Sequence, residues 1–449
     1  MAMSSLESLL GTLDSLRWAL TAPGFRNFVV LFVGWVQTQG VHAVTSALVE
    51  TDVAGRTHHE RFHRFFSRGT WSPDEIGRLL FLQLLRLLPP DLPVRAALDD
   101  TLAPKKGPHI FGLGSHRDPV RSTKRFPILT FGHCWVVVAI LLPLPFSRRA
   151  WALPVLFRLY RNEKECLKRK ERFQKKTELA REMLDVLVGW MDGRAIELSA
   201  DNAYCNDTVL RDLSATITFF GALRPDAVLT APPAGRKGKR GGRPAVRGRL
   251  LPKPAKLAKD ERRPWCTCKA TLYGKEETVY YKEMVAQWYR GAGTRLLRII
   301  IVKVETGSIG LRVFFCTDAS LPVVRVLETY AGRWGIEVCF RELKQLLGFA
   351  DSSARKRAAV ERTAPFVGYV YTALVLWFAT RVHAATEVVI PIRPWYRHKT
   401  GYCFADILRT AQRTLAPLDV LDPARSLANL QKPRGSHWPH SSSPLKRVA

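Results

Sequence analysis

The first part of the chain, residues 1 to about 90, has its apolar residues at the three- and four-residue spacing of amphipathic helices. The segments FRNFVVLFVGWVQ and IGRLLFLQLLRLLP show this spacing most clearly. The segment HHERFHRFFSR, residues 58–68, is basic and aromatic and suits a helix that lies against a DNA backbone. His59 and His63 are one helical turn apart, but without a third ligand they are not expected to bind a metal. The pattern therefore predicts a helical N-terminal region that binds DNA.

From about residue 93 the pattern changes to short apolar runs rich in β-branched residues, which are typical of buried strands. One such run, PVRAAL, is a strand that ends at Asp99, and another, RAIELSA, ends at Asp201. LLRIIIVKV and GLRVFFCT predict a strand pair. Helices are predicted at about 158–190, 206–213 and 323–347.

Two apolar segments, residues 126–146 and 363–380, are close to the lower length limit for a membrane-spanning helix. The first contains Pro143 and Pro145 together with many Val and Ile residues, which favours buried strands. The second is rich in aromatic residues and is predicted to be a buried helix. We therefore expect no membrane span and no membrane partner.

The 449 residues leave room for two or three domains. Lys and Arg total 69 against 39 Asp and Glu, a net charge of +30. An excess of this size indicates a polyanionic partner, and nucleic acid is the first candidate, although charge alone does not separate an enzyme from a ribosomal-type binder. Residues 235–265 are rich in Gly, Pro, Lys and Arg, and are expected to form a mobile basic arm or loop.

The eight cysteines are scattered and include no pair of CxxC units, so a structural zinc is not expected. The N-terminal segment MAMSSLESLLGTLDSLRWAL lacks the basic region and apolar core of a signal peptide. We expect reduced thiols and a cytoplasmic, nucleoid-associated protein.

The strongest chemical signal is the stretch ETYAGRWGIEVCFRELKQLLG. It carries Tyr330, Arg333, Glu337 and Lys344 with the spacing Y-x2-R-x3-E-x6-K. At about 100° per residue these four positions fall within about 60° of one another, so they share one helix stripe. A carboxylate flanked by an arginine, a lysine and a tyrosine suits a metal ion and a phosphodiester. The alternative is an ordinary solvated face with ion pairs.

Two further carboxylates could complete a metal site. Asp99 and Asp201 each end a predicted strand, so they can converge with Glu337 at one edge of a sheet. Such a cluster could hold two divalent cations, and its hard oxygen ligands favour Mg²⁺ or Mn²⁺. Asp100, next to Asp99, and Asp318, after VFFCT, are alternative acids.

Over residues 95–350 the chain resembles the DDE transposases of bacterial insertion sequences that bear the YREK signature. LDDTLAPKKG resembles the segment of the first catalytic acid, ELSADNAY the second, and YAGRWGIEVCFRELK the third. The resemblance implies that Asp99, Asp201 and Glu337 are the catalytic, metal-binding acids. It also implies that Tyr330, Arg333 and Lys344 contact phosphates of the transposon end.

The implied fold class is α/β: a ribonuclease-H-like catalytic domain with an inserted segment, preceded by a helical N-terminal DNA-binding domain. The predicted divisions are residues 1–90 (helical), 91–224 (first part of the catalytic domain), 225–292 (basic insertion), 293–350 (the remainder, with the YREK helix), 351–431 (helical) and 432–449 (disordered tail). Family members can hold a flipped base on an aromatic residue of the insertion. Trp265 and Trp288 are the candidates here, with a core role as the alternative for each.

The implied function is that of a Mg²⁺-dependent DNA transposase. It would bind terminal inverted repeats, cleave the phosphodiester and join 3′-hydroxyl ends to target DNA by a two-metal mechanism. Double-stranded DNA would be the partner and a dimer the active form. The alternative is a catalytically inactive DNA-binding protein derived from a transposase, against which the presence of all three acids argues.

Overall fold

The computed structural model describes residues 4–107, 109–118, 121–123, 125–233, 245–304, 310–383, 395 and 401–424. Its strands are β1 (Val94–Pro104), β2 (Gly114–Arg117), β3 (Leu129–Leu142), β4 (Trp151–Tyr160), β5 (Ile196–Ala200), β6 (Ile217–Leu223), β7 (Cys266–Leu272), β8 (Lys275–Gln287), β9 (Leu296–Val304) and β10 (Arg312–Cys316). Its helices are α1 (Ser5–Asp14), α2 (Ala22–Gln37), α3 (Val44–Glu50), α4 (Glu60–Ser67), α5 (Pro73–Leu85), α6 (Glu163–Lys168), α7 (Lys176–Trp190), α8 (Asp207–Leu210), α9 (Pro254–Ala258), α10 (Tyr289–Ala292), α11 (Val323–Gly332), α12 (Trp334–Leu346), α13 (Arg357–Trp377) and α14 (Phe404–Leu415). The predicted tail, residues 432–449, lies outside the described residues.

A single mixed sheet forms the centre of the molecule. Its order is β2-β3-β1-β5-β6-β10-β9-β8-β7, and β4 pairs with β3. β1, β3 and β4 are antiparallel neighbours, whereas β5 is parallel to β1 and β6 is parallel to β5. The mixed sheet with helices against it is consistent with the ribonuclease-H-like fold expected from the sequence.

The expected insertion adds strands to this sheet. β7 and β8, which lie within residues 225–292, pair with each other, and β8 pairs with β9. Part of the predicted basic arm also has regular structure: α9 places Leu257 in the core, 2% exposed. Residues 234–244 of the arm lie outside the described part. The expectation of a mobile arm or loop is therefore wrong for α9. It is also wrong for Trp265, directly before β7, whose ring packs against the core.

The N-terminal helices share a hydrophobic core with the sheet. Phe28 and Phe66 both pack edge-to-face on Phe366 of α13, and α13 also contacts β4 and α5. The segment Arg357–Val382 is long and apolar enough to cross a membrane, but 94% of its apolar window is buried inside the protein. The second apolar segment is therefore a core helix, as predicted from its aromatic content. The first contains strand β3, which is buried from residue 132 to residue 142 but exposed at its start.

Three predicted boundaries are wrong. β1 does not end at Asp99 but continues to Pro104, because residues 100–104 keep pairing with β3. The helix predicted at 158–190 is interrupted: β4 runs to Tyr160, and two helices, α6 and α7, follow. The helix predicted at 323–347 is divided into α11 and α12 at Arg333. The strand pair β9–β10 and the strand β5 are confirmed.

Candidate active site at the edge of the sheet

Two carboxylates lie side by side on neighbouring parallel strands. Leu98 of β1 is in register with Ala200 of β5, so Asp99 and Asp201 occupy the next matching positions. Asp201 directly follows β5 and begins a 3-10 turn, Asn202–Tyr204. The side chain of Asp99 is 17% exposed. Adjacent strands bring these two predicted acids together even though only one of them ends its strand.

Arg333 joins Asp99 to Glu337. Its Nη1 donates to Asp99 Oδ2 at 2.7 Å, and its Nη2 donates to Glu337 Oε1 at 2.8 Å. The guanidinium is 13% exposed, whereas the Glu337 side chain is 44% exposed. The ring of Tyr330 lies 5.8 Å from the Arg333 guanidinium carbon. Three of the four stripe residues therefore meet at the Asp99 carboxylate or next to it.

Burial sets the electrostatics of this cluster. It raises the pKa of Asp99 to about 7, although the positive charge of Arg333 and the Asp100 backbone N–H act in the opposite direction. The nearby charge of Asp201 raises the Asp99 pKa further. Burial also raises the pKa of Tyr330 to about 12, so its phenol is neutral. Asp99 is thus a desolvated carboxylate that depends on a cation for its charged form.

Lys344 is separated from the other three stripe residues. It is exposed near the end of α12, and Asp118, which follows β2, is its foremost electrostatic partner. The four stripe residues therefore fall into two groups: three lie in a cluster around Arg333, and Lys344 lies near Asp118 of the β2–β3 hairpin.

Asp100 faces the opposite side of the sheet from Asp99. Its Oδ1 accepts a hydrogen bond from the Tyr204 hydroxyl at 2.8 Å, and its Oδ2 accepts one from Lys176 Nζ of α7 at 2.7 Å. Cys134 is also within 3.3 Å of Oδ2. Of the two neighbouring acids, Asp99 is therefore the one that shares a site with Glu337.

Asp318 lies at the other end of the sheet. β10 is antiparallel to β6, whereas β6 and β5 are parallel, so the residue after β10 lies beside the beginning of β5 and not its end. Its Oδ1 accepts from both the backbone N–H and the hydroxyl of Ser320, at 2.9 and 2.6 Å. Asp318 stabilises the turn that follows β10, and it is remote from Asp99 and Asp201.

A cavity of about 500 Å³ opens next to Asp201, Tyr330 and Arg333. Its aromatic lining consists of Tyr273, Phe314 and Tyr330, and the rings of Phe314 and Tyr330 are 4.7 Å apart. Trp265 lies instead under the amines of Lys282 and Lys303, at 4.9 and 4.5 Å, and Trp288 packs on Phe315. Sequence reasoning missed Tyr273, because a tyrosine at the turn of a hairpin carries no signal of what the hairpin faces.

The donor set suits a hard divalent cation by its chemistry, since Asp99, Asp201 and Glu337 offer only carboxylate oxygens. In the part of the chain that the structure describes, no three His, Cys, Asp or Glu side chains are close enough to hold a metal ion together. A guanidinium bridges Asp99 and Glu337 instead, so an ion bound by both would have to displace Arg333. The pair His59 and His63 gains no third ligand among the described residues either.

Comparison with known proteins identifies the family. The model of the DDE superfamily endonucleases matches residues 34–286, more than half of the chain. The matched region contains Asp99 and Asp201, whereas Glu337 lies beyond it. No curated protein matches the chain. The chain belongs to the DDE superfamily endonuclease family.

Proposed function

We propose that the protein is a DNA transposase that cleaves the ends of its element and joins them to target DNA. Membership of the endonuclease family supports DNA as the substrate. The observation that carries the proposal is the contact of Arg333 with Asp99 and Glu337, at 2.7 and 2.8 Å, next to Asp201. Through Arg333, Glu337 of α12 is linked to Asp99 of the sheet, which supports a site that these acids share.

The acids would hold the divalent ions that members of this superfamily typically use, here Mg²⁺ or Mn²⁺, which would activate the attacking oxygen and stabilise the leaving one. Asp99 and Asp201 are on the rigid sheet, so their spacing is fixed by strand pairing. Glu337 is on a helix and is 44% exposed, so its carboxylate can move toward the sheet. Arg333, once released from these carboxylates, would be placed to bind a phosphate of the DNA beside Asp99.

The surrounding surface would hold the DNA. Lys344 on α12 extends the positive charge along the same helix, and Tyr330 borders the cavity next to Asp201. We infer that the helical region 1–90 contributes to end binding through Arg61, Arg64 and Arg68 on or next to α4. Of these, Arg64 also pairs with Glu60 and Arg61 with Asn27. We also propose that the active form is a dimer, that it bridges two DNA ends, and that it acts in the cytoplasm.

The test is Glu337→Gln, assayed on DNA that carries the native flanks of the coding region on both sides of a marker. Glutamine keeps an oxygen that accepts from Arg333 but loses the negative charge, so strand cleavage should be abolished while end binding remains. Glu361→Gln is the matched control. Glu361 pairs with Arg357 one turn earlier at 3.1 Å and is 39% exposed, the same arrangement as Glu337 with Arg333.

Gel-shift and cleavage assays in Mg²⁺ separate the outcomes. Loss of cleavage in the Glu337 variant alone supports the proposal. Undiminished cleavage by that variant contradicts it. A wild-type protein that binds its flanking DNA without cutting it would be the inactive, transposase-derived binder.

A further inference from the structure

The β2–β3 hairpin extends beyond the sheet at the edge where Asp201 lies. β1 ends at Pro104, which pairs with Gly132 of β3. Just beyond it, Lys105 N–H still donates to Phe131 O at 3.0 Å. Residues 129 and 130 of β3 continue past this contact and pair with β2. Because β1 and β5 are parallel, their carboxyl ends point to the same edge, and the hairpin projects from it.

Large apolar side chains on this hairpin are open to water. Phe126 is 74% exposed, Leu129 66% and Phe131 63%. Three neighbouring apolar side chains with this exposure are unusual on a surface that touches only solvent. They form what we call the apolar tip: Phe126, Leu129 and Phe131.

The backbone holds the apolar tip in place. Ile128 N–H donates to Ser122 Oγ at 2.8 Å, and the Ser122 hydroxyl donates back to Ile128 O at 3.1 Å. Asp118 Oδ1 accepts from the Arg121 N–H at 3.1 Å. These bonds close the turn and use only backbone groups and the Ser122 and Asp118 side chains. The fold of the hairpin therefore does not account for the three exposed apolar side chains.

Strand alternation places Leu129 and Phe131 of the apolar tip on the same face of the sheet as Asp99. Val137 is opposite Asp99, and residues 135, 133, 131 and 129 alternate from it along β3 without a bulge against β1. Six residues of strand separate the level of Asp99 from that of Phe131, which is about 20 Å at roughly 3.3 Å per residue. A duplex with a phosphate at Asp99 would therefore reach Phe131 after about six base pairs, at about 3.4 Å per step.

Positive charge accompanies the apolar tip. Arg117, which pairs with Leu129 in the strand register, is exposed, and so are Arg121 and Arg125. Lys344 is close enough to Asp118, the residue that follows β2, to interact with it electrostatically. Apolar side chains flanked by arginines fit the groove of duplex DNA, where the apolar groups press between base steps and the arginines bind phosphates.

We propose that the β2–β3 hairpin is a DNA-contacting wedge that inserts its apolar tip into the duplex about six base pairs from the phosphate cut at Asp99. This inference rests on the proposed function, since it takes the element's own DNA as the partner. The wedge holds the duplex at a fixed distance from the carboxylates.

The test compares two hairpin variants on duplex DNA from the native flank of the coding region. The variant Phe126→Ser/Leu129→Ser/Phe131→Ser should weaken binding at least about tenfold with no change in its salt dependence, because the side chains it removes are apolar. The variant Arg117→Ala/Arg121→Ala/Arg125→Ala should lower the slope of log affinity against log salt by about 0.9 for each phosphate that it no longer binds. Leu167→Ser is the control, since Leu167 is 77% exposed on α6 and outside the hairpin.

A 2-aminopurine base placed at each of several steps reports insertion directly. Its fluorescence should rise near the sixth step in complexes of the wild type and of Glu337→Gln, and should stay low with the apolar-tip variant. Equal DNA affinity of wild type and apolar-tip variant would overturn the wedge while leaving the transposase proposal intact. A variant that is a monomer by mass where the wild type is a dimer, with DNA affinity unchanged, would also overturn the wedge. The apolar tip would then be a contact with a second copy of the chain.

Failure of the proposed function has a different signature. A protein whose DNA affinity depends on the hairpin but whose Glu337→Gln variant cuts normally would keep the wedge and lose the assigned active site. A wild type that binds no duplex would refute both.

Discussion

Tyr204 connects the two strands that carry Asp99 and Asp201, and its hydroxyl can be removed without disturbing packing. It is the last residue of the 3-10 turn that begins after Asp201, and it is fully buried, 0% exposed. Its hydroxyl donates to Asp100 Oδ1 at 2.8 Å. Because Asp100 follows Asp99 in β1, this bond ties the Asp201 turn to the residue next to the other acid.

The free-energy cost of Tyr204→Phe can be worked from these contacts. Phenylalanine keeps the ring, so no cavity forms, and the loss is that of one buried hydrogen bond to a carboxylate. Such bonds contribute about 1.5–3 kcal/mol. Lys176 still donates to Asp100 Oδ2 at 2.7 Å in the variant, which keeps the carboxylate paired and the loss within that range. We expect the free energy of unfolding to fall by about 2 kcal/mol.

Tyr369→Phe provides the matched control. Tyr369 is also buried, 1% exposed, but its hydroxyl donates to the neutral Val155 carbonyl at the long distance of 3.4 Å. Its loss should cost about 0.5–1 kcal/mol. Urea denaturation of both variants at about pH 7 measures the difference.

The same variant tests the site. At a temperature where both variants are folded, Tyr204→Phe should slow strand cleavage with little change in DNA affinity, because the Asp201 turn loses its link to β1. Tyr369→Phe should cleave at the wild-type rate. Equal destabilisation by the two substitutions, or wild-type cleavage by Tyr204→Phe, would refute the reasoning.

Two further predictions concern the charges of the site. Arg333→Gln leaves the buried Asp99 without its cation. Because the pKa of Asp99 is already raised to about 7, the carboxyl can take up a proton in the variant. The loss is then mainly that of the hydrogen bonds, and we expect about 1–3 kcal/mol in urea denaturation with a chelator present. Arg64→Gln, which breaks an exposed pair, should cost less than about 1 kcal/mol; similar losses for the two would contradict the pairing with Asp99. Asp318→Asn should cleave DNA like the wild type, because Asn keeps the oxygen that accepts from Ser320 at the far end of the sheet. Asp201→Asn should be inactive. If instead the Asp201 variant cleaved DNA and the Asp318 variant did not, Asp318 would be the second catalytic acid.

The sequence predicts β5 and its following acid correctly because the signal is local. Five consecutive residues, Ile196–Ala200, are buried, and a polar residue follows at once. The same holds for the β9–β10 pair, whose apolar runs are bounded by turn residues. β5 is buried on both faces although it contains Glu197 and Ser199, and β9 carries the apolar run Ile299–Val302. Short segments of this kind, bounded by turn residues, can be recognised as strands without knowledge of their distant partners.

The extent of β1 could not be read in this way. After Leu98 the strand continues through two aspartates, a composition that normally marks a turn. The pairing with β3 overrides this preference, since residues 100–104 have strand partners there. Asp99 and Asp100 then face opposite sides of the sheet, one toward Arg333 and the other toward Lys176, and only the long-range contacts separate their roles.

The insertion differs from its prediction for a related reason. Its composition between residues 235 and 265 is that of a segment without a core, yet α9 docks on the sheet through the buried Lys282. That amine donates to three backbone carbonyls at or just beyond the end of α9, those of Leu257, Ala258 and Asp260. The stabilising group comes from β8, which lies beyond the segment, so composition within the segment could not reveal it.

The helix stripe shows what periodicity can and cannot establish. The angular spacing correctly predicts that Tyr330, Arg333 and Glu337 lie on one side, and the structure brings them together. Angular spacing takes no account of translation: at about 1.5 Å per residue, Lys344 stands roughly 10 Å beyond Glu337 along the axis. Lys344 therefore lies near Asp118 of the β2–β3 hairpin and not at the carboxylates. With translation included, the stripe is a line of groups that leads from the acids toward the apolar tip, and a duplex that follows it would contact both.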